Sequence, residues 1–186
     1  MRSLILVFTL LCLPPFASAA VFEDAIGVSF PDRVGGLQLQ GRETFAQKAL
    51  GSATRYRSDG HLLASTYVYT GGLSSIPEGT ESAVVRKHFA QVIDEAKQME
   101  AMGHASKVTV PATPGQVTQF AGCGPQFIWK AFEMDLDGNL IVSNTYLTAV
   151  RNNFVKLRIS YPKTDITGRQ SADRFIEDIR KVLGRC

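Results

Sequence analysis

The sequence holds three cysteines and three histidines in 186 residues, and none of them is spaced as a ligand set. There is no Cys-x-x-Cys pair and no His-Glu-x-x-His run, so a metal centre built from clustered ligands is not expected. A Gly-rich loop opening a helix, which would cradle phosphate, is missing too, as is the Gly-x-Ser-x-Gly elbow of a serine nucleophile. Charge of one sign is scarce in excess: 20 Lys+Arg against 17 Asp+Glu leaves +3, too small a surplus to neutralise a nucleic-acid backbone. Beyond the first twenty positions no apolar run approaches the roughly 20 residues of a membrane-spanning helix. These absences remove nucleic acid, stable membrane insertion and any cofactor from the expected partners. No catalytic set and no metal site is nominated.

What is present begins with an address. Arg2 precedes an apolar run from Leu4 to Leu13, Pro14 and Pro15 end it, and the small residues Ala17-Ser18-Ala19-Ala20 follow. This is the pattern of a secretory signal peptide. Residues 1–19 are read as that signal and 20–186 as one domain, periplasmic or secreted once cleaved. Cys12 leaves with the signal, and Cys123 and Cys186 remain. An even pair in an oxidising compartment predicts a disulfide, which would tie the last residue to the Gly122-Cys123-Gly124-Pro125 turn.

Periodicity supplies the elements. Short strands are expected around Ile26–Phe30 and Leu37–Gln40, then a hairpin of Thr54–Arg57 and His61–Thr70 about Ser58-Asp59-Gly60. A loop from Gly71 to Gly79 leads to a helix from Glu81, capped by Thr80 and stopped by Gly103. Its stripe is Val85, Phe89, Val92, Ala96 and Met99. Lys107–Val110 and Gln116–Phe120 are short strand candidates, kept apart by Pro111 and Pro114. A meander of Phe127–Leu136, Leu140–Val150 and Phe154–Tyr161 turns at Asp137-Gly138 and Asn152-Asn153. Asp135 to Asn139 superficially resembles a calcium loop, but Leu140 stands where that loop needs Gly. In the last strand Val155, Leu157, Ile159 and Tyr161 face the core, while Phe154, Lys156, Arg158 and Ser160 face a largely wet side. The middle strand is apolar on both sides. With a final helix from about Ser171, the expected class is α+β: a mostly antiparallel sheet with helices on both faces, a three-layer α/β/α sandwich.

This order of strands, long helix, antiparallel run and terminal helix, opening on Val28-Ser29-Phe30-Pro31, resembles the PsbP-like fold of extrinsic photosystem proteins and DcrB-type envelope proteins. The resemblance implies a compact binding or adaptor module rather than an enzyme, and it transfers no site residue.

Candidate partner-binding residues follow from the strands. Tyr67 and Tyr69 alternate on one face at a strand end, where aromatic anchors serve interfaces. Arg55 with Arg57, and Lys156 with Arg158, form two basic pairs that would make one cationic patch if their strands were neighbours. The Gly71–Gly79 loop is a third surface. The expected function is an exported, non-enzymatic protein-binding module, with an inhibitor or immunity protein against a co-resident toxin or effector as one form of it. The alternatives are a small envelope hydrolase using Cys123 with His61, His88 or His104, and a small-ligand carrier with a pocket between helix and sheet.

Overall fold

A computed structural model of the chain describes residues 20–186. The predicted signal peptide, 1–19, lies outside the described residues. Eleven strands and two α-helices follow one another: β1 Val21–Glu23, β2 Val28–Phe30, β3 Arg33–Val34, β4 Leu37–Thr44, β5 Ser52–Arg57, β6 Leu63–Tyr69, α1 Ala83–Ala101, β7 Ser106–Thr109, β8 Gln116–Val117, β9 Ile128–Leu136, β10 Asn139–Val150, β11 Asn153–Pro162 and α2 Gly168–Gly184. β1 and β2 form a hairpin of their own. The other nine strands make one antiparallel sheet in the order β3-β4-β5-β6-β11-β10-β9-β7, with β8 also pairing β9.

The meander forms for the reasons the sequence offers. Asp137 and Gly138 both take positive φ, 51° and 83°, which suits the two-residue turn between β9 and β10. The second turn sits one residue earlier than expected, at Arg151 and Asn152, with φ of 48° and 60°. Asn153 is in the ladder opposite Val150, and its side-chain amide donates to the carbonyls of Ala25 and Arg151. α1 also starts later than expected: Ser82, not Thr80, is the cap, its hydroxyl accepting from the Val85 N–H at 3.2 Å.

The expected three-layer sandwich with helices on both faces is not what forms. Nine strands make one broad antiparallel sheet and, among the described residues, two α-helices stand against it, so the sheet dominates the fold. Much of the cover that the sequence pattern assigned to helices comes from other segments. Ile26, Val28 and Phe30 of the first hairpin share a cluster with Phe175, Ile176 and Ile179 of α2 and with Val155, Leu157 and Ile159 of β11. Ile76, from the connection after β6, joins Val85, Phe89 and Ile93 of α1 against Leu147, Ala149 and Phe154. Apolar side chains on both sides of a strand require cover, and a pinned loop supplies it as well as a helix does.

The C-terminal end of α2 is held by covalent and polar bonds. Cys123 and Cys186 form a disulfide across a sequence separation of 63. Gly124 takes φ of 105°, and a Cβ there would come within 2.4 Å of the Arg180 carbonyl oxygen, so only glycine allows the turn to lie so close to the helix. Arg180, almost fully buried, donates to the carbonyls of Ala121, Gly122 and Gly124 at 2.9 to 3.3 Å, and its guanidinium lies over the Phe120 ring. The turn that carries Cys123 is therefore shaped around one arginine from α2. Loop-closure entropy gives a bridge of this span roughly 4 kcal/mol. Changing Cys123 and Cys186 together to Ser should lower the unfolding free energy by up to about that amount, read from urea melts, with the circular dichroism of the folded state kept; unchanged stability would mean the bridge does not constrain the chain.

Candidate functional site

The register of the sheet decides which candidate residues meet. β6 lies between β5 and β11, so Arg55 pairs across with Ser65 and Ser65 with Arg158, while Ala53 pairs with Tyr67 and Tyr67 with Lys156. All of these share one face. The two basic pairs are nevertheless one strand apart and do not merge into a cationic patch. Arg55 and Arg57 stay exposed, and Arg55 bonds Glu43 at 2.6 Å with both side chains about half in water. Such a surface ion pair contributes little. Lys156 and Arg158 are half-buried instead, because the face expected to be wet lies under α1.

Tyr67, Tyr69, Phe154 and Lys156 form the floor of a groove of about 740 Å³. One wall is α1, through Val84, Lys87, His88, Gln91 and Glu95, residues spaced to run beside its buried stripe. The other wall is the β4–β5 connection, through Phe45, Gln47, Ala49 and Leu50, with Gly71 and Leu73 after β6. The Gly71 N–H donates to the Ala49 carbonyl at 2.9 Å and so ties the two connections together, while the Phe45 N–H closes the β4–β5 connection on itself by donating to the Gly51 carbonyl at 2.9 Å. Leu50 and Leu73 stand 49% and 44% exposed, so the rim is apolar and faces water. A second hollow of about 340 Å³ adjoins, sharing Glu95 and Lys156 and adding Met99, Met102, Phe132 and Arg158.

The Gly71–Gly79 loop, expected to be a free recognition surface, is largely tied down. Asn152 accepts from the Ile76 N–H at 2.7 Å and donates to the Ser74 carbonyl at 3.2 Å. Gly79 and Ala149 exchange two backbone bonds, and Glu78 accepts from the Arg151 N–H. Only its start, at Gly71 and Leu73, reaches the groove.

Inside the groove, Tyr69 and His88 share a hydrogen bond at 2.8 Å, and the His88 ring stacks on Phe154 with centroids 4.0 Å apart. Burial, followed by the charge of Lys156, pushes the imidazole below its ordinary value, so His88 is neutral at neutral pH. Burial, aided by Glu95, raises Tyr69, which keeps its proton. Lys156 lies 4.7 Å from the Tyr67 ring centroid and 5.6 Å from that of Tyr69. Among the described residues its ammonium has neither a hydrogen-bond partner nor a carboxylate within ion-pair distance, although Glu95 lines the same groove. Burial lowers its pKa; the Glu95 charge opposes this and that of Arg158 adds to it. Arg158 is better provided for, donating from Nε to Ser143 at 3.2 Å and facing the sulfurs of Met99 and Met134.

Comparison with protein-family models found no match, and comparison with curated proteins found none.

Cys123 lies away from this groove, beside the end of α2, and its sulfur is bonded to Cys186. The thiolate that the hydrolase alternative requires is therefore not present in the oxidised chain. Sequence reasoning offered His88 only as a possible partner of Cys123 and did not see Phe45, Leu50 or Phe154 as parts of a site. The spacing of Val84, His88, Gln91 and Glu95 beside the buried stripe of α1 was the available signal. The groove brings together aromatic surfaces, one neutral imidazole hydrogen-bonded to a tyrosine hydroxyl, and one half-buried cation.

A lysine whose folded pKa is depressed leaves the native state short of protons relative to the unfolded chain. Stability is thus lost as pH falls from the ordinary lysine value through the folded one. Lys156→Met should raise the thermal midpoint at pH 7, and its advantage over the unaltered protein should shrink as pH approaches 10.5; a lower midpoint at pH 7 would mean that the lysine holds the fold together.

Proposed function

We propose that this chain is an exported binding protein, periplasmic or secreted after loss of residues 1–19, that holds a small molecule in the α1 groove and carries out no covalent chemistry. The observation that supports this most is the groove itself. Its volume of about 740 Å³ lies in the range of roughly 300 to 1,000 Å³ that takes small ligands. Its lining is mainly apolar and aromatic with a few placed polar groups, the usual division between affinity and orientation. The Cys123–Cys186 bridge suits an oxidising compartment, and no helix of the described residues is long and apolar enough to cross a membrane.

A second reading keeps the same groove and changes its occupant. Leu50 and Leu73, exposed on the rim, would receive the side chains of another envelope protein, as an inhibitor or immunity protein receives its toxin.

Native mass spectrometry separates the two. Protein purified without denaturation from the compartment it is exported to should carry a noncovalent small-molecule mass, absent under denaturing conditions and absent from a folded Val84→Trp variant whose indole fills the groove. Bare protein, joined by a stoichiometric protein companion in a pull-down that Leu50→Asp and Leu73→Asp abolish, would overturn the small-ligand reading in favour of the second.

A further inference from the structure

The chemistry of the groove narrows what can occupy it. Phe45, Leu50, Leu73 and Val84 line it with side chains that offer an apolar ligand dispersion and shelter from water but no hydrogen bond. Gln47, Lys87, His88, Gln91, Glu95 and Lys156 supply its polar groups, and of these Glu95 and Lys156 also line the second hollow. The two charges there are not equivalent. Glu95 is exposed and already accepts from the Gln91 side-chain amide at 3.0 Å. Lys156 is half-buried, with its three donors unused among the described residues and only the faces of Tyr67 and Tyr69 beside its ammonium. Beyond it stands Arg158, a second half-buried cation. Lys87 adds a third positive charge on the α1 wall, against which the groove sets one carboxylate, Glu95. His88 adds no charge at neutral pH. An aromatic face attracts a cation weakly, whereas an anionic oxygen gives it a charge-assisted hydrogen bond.

We infer that the ligand is a single-chain amphipathic anion, with a carboxylate head at Lys156 and an apolar tail along Phe45, Leu50, Leu73 and Val84. The inference rests on the small-ligand reading given above and names the chemical class that reading leaves open. The head gives the Lys156 ammonium the anionic acceptor that it lacks, and the tail covers the exposed rim leucines. A cationic or zwitterionic amphiphile would set a positive group against Lys156 and Lys87.

Isothermal titration calorimetry with dodecanoate, dodecanol and dodecyltrimethylammonium, each below micelle formation, tests this on the secreted chain. Dodecanoate should bind at least about tenfold more tightly than dodecanol, the factor of one charge-assisted hydrogen bond, and dodecyltrimethylammonium most weakly. Lys156→Met should cost dodecanoate about that same factor and leave dodecanol unchanged, with thermal melts confirming that the variant is folded. Glu95→Gln should tighten dodecanoate by removing the opposing charge. If dodecanol binds as tightly as dodecanoate and Val84→Trp blocks both, the groove takes small ligands but the inference of an anion is overturned. If none of the three amphiphiles binds and the protein carries no small-molecule mass, the small-ligand reading falls with it.

Discussion

An ammonium half-buried against aromatic rings, with no anion beside it, is a cost that a fold must meet elsewhere, and Lys156 is in that position. The surrounding arrangement follows from it. The hydrophobic burial of α1, through Val85, Phe89, Ile93 and Ala96, holds the helix over β11 despite the cations beneath it. Tyr67 and Tyr69 shield the ammonium with ring faces, which soften the loss without cancelling it. Sites that bind are commonly less stable than the sequence could make them, because their groups are prepared for a partner rather than for one another.

The sheet makes this possible. Since β6 sits between β5 and β11, its tyrosines lie directly beside Lys156, while the exposed arginines of β5 are one strand further out and satisfied by Glu43 and solvent. α1 does not close over the floor, and the β4–β5 connection rises opposite it instead of packing against it. What remains between them is the groove. The disulfide and Arg180 act away from the groove, where they shape the turn at Cys123 and fix the end of α2. Their contribution is to stability, and none of the residues involved lines the groove.

Much of the chain was legible from period alone. The three long strands of the meander, both helices and the pairing of Cys123 with Cys186 all follow from alternation, from the 3.6-residue stripe and from counting the cysteines left after the expected signal peptide. The layer arrangement was not legible. A strand apolar on both sides states that it must be covered, but not by what, and here the first hairpin and the segment around Ile76 supply cover that helices were expected to give. The same ambiguity hid the site. Alternation placed Lys156 and Arg158 opposite the core, and only tertiary contact reveals that the opposite side is roofed by α1. Tyr67 and Tyr69, singled out because they alternate on one strand face before a glycine-rich loop, do line the groove. Phe45 and Leu50, whose part depends on a connection folding back to meet Gly71, carried no local signal.

The account stands on Lys156 being a half-buried cation whose charge burial disfavours and which takes a negative partner. Direct carbon-detected NMR titration of its side chain measures this. The account predicts a value below that of an ordinary lysine in the empty protein, moving upward when an anionic amphiphile occupies the groove; an ordinary value in the empty protein, unchanged on adding the amphiphile, would contradict it.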